Sequence, residues 1–292
     1  MNSFEHLVLT RFNVRLSWLD KYGHTSHKGL DPDWLNHRFR LFEQLCYPSL
    51  RHQTNQQFKW LVFFDTQTPE AFKERINTLA EWENFVPVYV DCFDQNILRE
   101  SLSQKTSDGI DFLITTRVDN DDALNKSFIE SIQENFSDQE FEFINFVNGF
   151  ILNLKDAKLY NLKHLSSPFS SLIERRVDLT VDGFRTILCE DHGKLSDVGF
   201  VRQIYSKPLW MQIIHDKNVC NSVRGIRRPL HRLKDEFTID YQFNSSESYL
   251  SYQIDKVSNL VYAILSFAKR RFALEILHQG VDLKERLFNR FF

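Results

Sequence analysis

A chain of 292 residues, 42% apolar and 14% aromatic, can bury a large core in one sizeable domain or two modest ones. With only 9 Gly and 7 Pro it is neither collagen-like nor disordered, and a net charge of −3 gives no general pull towards nucleic acid. The cysteines Cys46, Cys92, Cys189 and Cys220 form no C-x-x-C pair, which excludes a disulfide-stapled miniprotein and favours reduced thiols.

The first residues carry no basic start before an apolar run, and no run reaches the roughly 20 apolar residues of a membrane span, so a cytoplasmic protein is expected. His6–Thr10 reads as a strand. Trp34, Leu35, Phe39, Phe42 and Leu45 recur at helical spacing, and Pro48 is expected to stop that helix. Trp60–Phe64 is a continuous apolar run ended by Asp65, as in a strand covered on both faces. Thr68-Pro69-Glu70 has the order cap, first-turn Pro, first-turn acid and predicts a helix from Pro69 to Trp82. A strand at Val86–Val90, a helix at Gln95–Lys105 and a strand at Asp111–Thr116 follow. This alternation predicts an α/β fold with a mostly parallel sheet flanked by helices, whose ligands bind beyond the carboxyl ends of the strands.

From Lys126 the pattern loosens. A helix at Phe128–Phe136 leads to an alternating strand at Phe141–Val147, and Gly149 is expected to turn the chain into a second strand at Phe150–Leu154. Residues 155–197 are loop-rich, Ser245–Ser248 reads as a linker, and Tyr249–Phe292 reads as helix. The expected division is therefore 1–125, 126–248 and a C-terminal helical region, 249–292.

The sharpest local signal is Arg117-Val118-Asp119-Asn120-Asp121-Asp122. Three carboxylates in four residues repel one another. Water on an open loop would relieve that, but these follow an apolar strand directly, where a divalent cation on oxygen ligands is favoured. Ala123 and the missing glycine argue against a calcium loop of the EF-hand type. A cation at a strand end commonly holds a nucleotide diphosphate and stabilises the charge that develops as it leaves.

An apolar residue before Asp119-Asn120-Asp121 resembles the Asp-x-Asp signature of GT-A glycosyltransferases. Further segments extend the likeness: Leu7–Phe12; Arg38-Phe39 with Phe42-Glu43; Cys46–Leu50 continuing through Gln53, Thr54 and Phe58 to Trp60–Asp65; Pro168-Phe169 with Ser171–Glu174; and Trp210–His215 with Asn218, Asn221 and Gly225. Together, over residues 6–230, they resemble a bacterial family of rhamnosyltransferases. The resemblance implies a GT-A-like (Rossmann-like) sheet, with residues 1–125 as the nucleotide-sugar half and 126–248 as the acceptor half. It implies a dTDP-, UDP- or GDP-sugar donor and a glycan or lipid-linked acceptor. It also implies Mn²⁺ or Mg²⁺ held by Asp119, Asp121, Asp122 and His215. Met211 and Asp216 stand where the family pattern has Leu and Gly, and Asp216 adds an acid beside the expected ligand.

Thr10, Arg11 and Phe12 follow the first strand and are placed to hold a base by stacking and hydrogen bonding. Asp65 is a candidate for base or ribose, or equally for capping the helix that follows. Arg117 either orders the carboxylates or touches the donor. Arg224, in the densest basic run, is the candidate diphosphate ligand. If transfer inverts the anomeric centre, a carboxylate must take the acceptor's proton. Cys189-Glu190-Asp191-His192 resembles the acidic pair of inverting enzymes, with Asp191 first choice, Glu190 second and Asp197 third.

Lys256–Phe292 carries seven basic against three acidic residues on an apolar background. Such a helix either packs on the catalytic domain or a second copy, or rests peripherally on the anionic inner face of the membrane. Two other functions fit parts of the sequence. Phe63–Thr68 has the shape of a haloacid-dehalogenase-type phosphatase motif, although Gln67 stands where its second Asp belongs. A catalytically silent sugar-nucleotide or glycan-binding module is the non-enzymatic alternative.

Overall fold

The computed structural model describes residues 4–16, 28–107, 109–175, 185–217, 223–243, 249–261 and 264. Its framework is a seven-stranded sheet, in which β1 (Phe4–Arg11), β2 (Lys59–Asp65), β3 (Phe85–Val90) and β4 (Phe112–Arg117) run parallel. A short β5 (Ala123–Leu124) and helix α5 (Phe128–Gln133) precede β6 (Phe141–Phe146), β7 (Asn148–Asn153), β8 (Lys158–Lys163) and β9 (Ser171–Arg175). The strands β10 (Val201–Ile204), β11 (Trp210–Ile214) and β12 (Ile226–Arg228) complete the set. The large sheet has the order β10-β6-β9-β4-β1-β2-β3, with β9 alone antiparallel to both its neighbours. A five-stranded sheet, β12-β8-β7-β11-β5, lies beside it. The expected mostly parallel sheet is thus present, and strands from both expected halves share it.

The helices cover the large sheet as the apolar patterns require. Asp31 caps α1 (Pro32–Leu41) by accepting the Trp34 N–H at 2.8 Å. Pro48 does not stop this helix. A π turn at Phe42–Cys46 lengthens the backbone register, with Tyr47 N–H reaching Phe42 O, and helix α2 (Tyr47–Arg51) continues with Pro48 in its first turn. Proline's missing N–H costs nothing at such a position. The next helix, α3, spans Glu70–Leu79. Thr68 does not cap it, because its hydroxyl donates to Asp65 O at 2.6 Å. Asp94 caps α4 (Gln95–Lys105) through two backbone N–H groups.

Gly149 does not form the expected turn. It lies inside β7, and the break between β6 and β7 falls at Val147, where the chain passes from one sheet to the other. A Cβ at Gly149 would come within 2.1 Å of the Trp210 ring, which is buried and donates its indole N–H to Phe146 O. That close approach explains the glycine.

Helix α6 (Leu195–Val198) and α7 (Leu233–Glu236) are single turns. Residues 249–261 form a C-terminal helix docked on β8 and β12. Arg227 lies between the Tyr160 and Tyr252 rings, its N–H is received by Asn259, and Lys158 pairs with Asp255. The greater part of the expected basic membrane-facing stretch, and the Ser245–Ser248 linker, lie outside the described residues. Among the described residues no helix is long and apolar enough to cross a membrane. Cys46 and Cys189 are free thiols.

Candidate active site

Strand order reverses at β1: the chain moves from β1 outwards through β2 and β3, then returns to place β4 on the other side. Loops leaving the carboxyl ends of β1 and β4 must therefore diverge, which opens a crevice between them. Two adjoining cavities of about 480 and 490 Å³ occupy this place. The first is lined by Arg11, Phe12, Trp34, Arg38, Arg117, Asp119, Asp121, Asp122 and Gln212 among others. The second shares Arg11, Leu16 and Arg117 with it and reaches Gln95, Cys189, Glu190 and Asp191.

The three carboxylates of the acidic loop have different surroundings. Asp119 is the most exposed of them and pairs with Arg117, Nη2 to Oδ2 at 3.1 Å. The Asp121 side chain is only 10% exposed, and its Oδ2 receives both Arg38 Nη1 at 2.5 Å and His215 Nε2 at 2.9 Å. Burial would raise its pKa, but the His215 and Arg38 contacts hold it below the usual carboxylate value. Asp122 turns inwards and accepts the Ile213 N–H of β11 at 2.8 Å. Burial, reinforced by Asp121 and Asp119, pushes its carboxyl well above the carboxylate range. Between them Asn120 binds Phe12 O at 2.9 Å and accepts from Arg38, tying the acidic loop to the end of β1.

The structure thus brings Asp121 and His215 into contact, while Asp119 faces Arg117 and Asp122 faces backbone. His215 follows directly on β11, whose pairing with β5 across Met211 and Ala123 carries the histidine to the acidic loop. Arg11 and Arg117 stand at the mouths of both cavities, where burial and mutual repulsion lower the Arg11 pKa against the opposing pull of Asp119 and Asp191. Glu190 and Asp191 are exposed on the far wall. Asp197 is exposed on α6.

Other expected residues serve the scaffold. The Thr10 hydroxyl donates to Val118 O at 2.8 Å and receives the Trp60 indole N–H at 2.9 Å. The Phe12 ring packs against Phe39, Phe42 and Phe64 in the core, so it presents no face for stacking a base. Asp65 is buried and accepts the Gln67 N–H at 2.8 Å, which makes it a cap for the turn after β2 rather than for α3. Arg224 is exposed and sits close enough to His164 to lower its pKa, adding to the effect of burial.

Sequence reading missed Arg38, Trp34, Gln212 and His192. Trp34 and Arg38 occupy one face of α1, with the guanidinium 5.3 Å from the indole centre, and both line the crevice. Helical periodicity had given Trp34 only a core role; its partial exposure and its place beside the cavity are tertiary facts. Arg38 did lie in a segment that carried the family resemblance, and this was the available signal. His192 has its pKa lowered by burial and by Arg117.

A sequence model of the family described as "Putative rhamnosyl transferase" matches residues 4–227. No curated protein matches the chain. Among solved structures, residues 1–349 of S. aureus TarS align with 14% identity and a TM-score of 0.40, covering 72% of this chain and 60% of that one. A "putative nucleotide-diphospho-sugar transferase" from Desulfovibrio desulfuricans G20 aligns with 11% identity and a TM-score of 0.33, over 72% and 82%. The inositol-1-phosphate CTP transferase from T. maritima aligns with 13% identity and a TM-score of 0.36, over 73% and 90%. The chain spans about three fifths of the TarS fragment it is similar to.

Proposed function

We propose, starting from the fact that this chain belongs to the rhamnosyl transferase family, that it moves a sugar, rhamnose by the family's description, from a nucleotide diphosphate donor to a hydroxyl of a glycan or lipid-linked acceptor. The observation that carries this reading is the crevice beyond β1 and β4, where Arg11, Arg38 and Arg117 meet Asp119 and the Asp121–His215 pair. Guanidinium groups suit diphosphate oxygens because their planar donors bind in pairs.

The donor pair fits a divalent cation. Two ligand atoms each about 2.1 Å from one ion at right angles lie roughly 3 Å apart, and Asp121 Oδ2 and His215 Nε2 are 2.9 Å apart. A carboxylate with an imidazole suits Mn²⁺ at least as well as Mg²⁺, and such a site commonly takes its remaining ligands from substrate phosphates and water. Arg38 shares the Asp121 oxygen and would yield it, while Asp119, on the same loop and partly exposed, would be able to join. When bound, the cation offsets the charge left on the departing diphosphate.

The chain's own groups do the rest. Trp34 offers its half-exposed indole as a stacking surface for the base. Arg11 and Arg117 donate to the diphosphate as the bond from its oxygen to the anomeric carbon breaks. Asp191, or Glu190 beside it, accepts the proton of the acceptor hydroxyl as that oxygen bonds to the same carbon, with inversion. Purified protein is to be assayed with dTDP-, UDP- and GDP-sugars for nucleotide release and transfer, with Mn²⁺ and with EDTA. One donor should turn over with the metal and not without it, and Asp121→Ala should abolish the reaction while the far-ultraviolet spectrum is unchanged. Turnover indifferent to EDTA would remove the cation from the mechanism, and binding of none of the three donors would remove the transferase reading.

A further inference from the structure

His215 has a second coordinating nitrogen on the side away from Asp121. His37 Nε2, on α1, lies 3.3 Å from His215 Nδ1, and Asp216 Oδ1 lies 3.9 Å from each of these two nitrogens. Among the described residues this is the one trio of His, Cys, Asp or Glu whose ligand atoms all gather within 4.8 Å. A point equidistant from the three atoms is about 2.2 Å from each, within reach of zinc–nitrogen and zinc–oxygen bonds of about 2.0–2.2 Å.

We propose that His37, His215 and Asp216 form a zinc-type metal site, distinct from the Asp121–His215 donor pair, with at least one position open to water.

The tautomer of His215 fits this use. Lys217 N–H donates to Nδ1 at 3.2 Å, so Nδ1 presents its lone pair and the ring proton sits on Nε2, directed at Asp121. A metal on Nδ1 replaces the Lys217 bond and leaves a carboxylate–histidine–metal line, an arrangement that orients the ring and raises its basicity. Both imidazole side chains are largely buried, 10% and 3% exposed, while the Asp216 carboxylate is 79% exposed and closes the trio from the solvent side. Two imidazoles and one carboxylate select zinc, cobalt or nickel over magnesium.

The site has a consequence for the reaction, which rests on the proposed function as the site itself does not. A neutral imidazole has one lone pair. A metal on Nδ1 fixes the proton on Nε2 and so withdraws His215 from any cation shared with Asp121. Zinc should therefore oppose manganese-dependent transfer.

The first test titrates zinc alone into the full chain by calorimetry, with cobalt absorption reporting geometry. One equivalent should bind the wild type, and His37→Ala and Asp216→Asn should each weaken it at least tenfold. Asp216 is on the surface, so its variant keeps the test open should His37→Ala fail to fold. Unchanged zinc affinity in Asp216→Asn, or no stoichiometric binding by the wild type, overturns the site. The second test measures transfer. Zinc should raise the manganese concentration for half-maximal rate in the wild type and far less in Asp216→Asn; equal inhibition of both overturns the exclusion. Zinc binding without any manganese-dependent transfer would sink the donor reading and leave the site in place.

Discussion

Arg38 donates to the Asp121 oxygen that the proposed cation would share, and replacing it tests that exchange. In Arg38→Met the aliphatic stem is kept and the guanidinium lost, so Asp121 remains buried with only the His215 N–H for a partner. The two side chains are 14% and 10% exposed, which places the pair among buried rather than surface ion pairs. Removing one partner of such a pair costs about 3–5 kcal/mol, because the other charge is stranded. The surviving His215 contact argues for the lower end, about 3 kcal/mol, a large share of the 5–15 kcal/mol by which a typical domain is stable. Urea unfolding followed by tryptophan fluorescence in EDTA reads this directly. Adding Asp121→Asn to Arg38→Met should recover most of the loss, since the stranded charge is gone. Manganese at a hundred times its dissociation constant adds about 2.7 kcal/mol to any protein that binds it only when folded. That gain should appear at lower manganese concentration in Arg38→Met than in the wild type, where the guanidinium competes for Asp121 Oδ2. A loss below about 1 kcal/mol in EDTA, or identical manganese titrations for both proteins, would refute the idea that Arg38 and the cation exchange on one oxygen.

Three further predictions concern His6, Asp191 and Gly149. His6 is fully buried between Thr116 Oγ1 at 2.8 Å and Gln133 Nε2 at 3.3 Å, and burial lowers its pKa from 6.5 to about 3. The unfolded chain binds a proton below pH 6.5 that the native chain refuses, so stability falls with pH across the window from 6.5 to about 3; between pH 6.5 and 4.5 the loss is about 2 kcal/mol. His6→Gln should flatten that part of the curve, and parallel curves for the two proteins would contradict the assignment. Asp191→Asn should lower kcat by about 10²–10⁴ with the donor KM little changed, and a product of retained anomeric configuration by NMR would rule out this base. Gly149→Ala forces a Cβ into the Trp210 ring and should cost about 1–3 kcal/mol, visible as a fall of several degrees in Tm; an unchanged Tm would show that the ring yields freely.

What the residues disclosed in advance depended on how local its cause was. Trp60–Phe64 could be read as a doubly covered strand because each of its residues is buried, so the run needs no alternation. The helix at Gln95–Lys105, and the acidic loop after an apolar strand, were likewise visible within a few residues. The family and the α/β class were legible for the same reason, being carried by many short segments. Gly149 and Pro48 were misread because their causes lie elsewhere: one is required by a tryptophan sixty residues on, the other tolerated by a π turn that no periodicity announces. Thr10 and Phe12 lie at the right strand end, yet the Thr10 hydroxyl is bonded to Val118 O and the Phe12 ring packs on Phe39, Phe42 and Phe64, leaving Arg11 between them to reach the crevice. Arg38 and Trp34 were hidden for the opposite reason, since an amphipathic helix does not reveal which of its less buried positions faces a ligand and which faces water.

The clustering of three acids at one strand end is explained by their divided duties rather than by a common one. Asp122, pushed towards its neutral form by burial, fastens the loop to β11 through the Ile213 N–H and so fixes where His215 emerges. Asp121 stays ionised because a guanidinium and an imidazole share its oxygen. Asp119, paired with Arg117 at the mouth, is the most exposed of the three. Arg11, Arg38 and Arg117 line the crevice with the acidic loop, and burial disfavours the charge of Asp122. The crevice thus concentrates guanidinium groups that the net charge of −3 conceals, and the proposed diphosphate would meet them there. Neutralising Arg11 and Arg117 together should then weaken diphosphate binding more than manganese binding, whereas Asp121→Asn should do the reverse. A calorimetric titration of each variant with UDP and with Mn²⁺ separately would expose any other ordering.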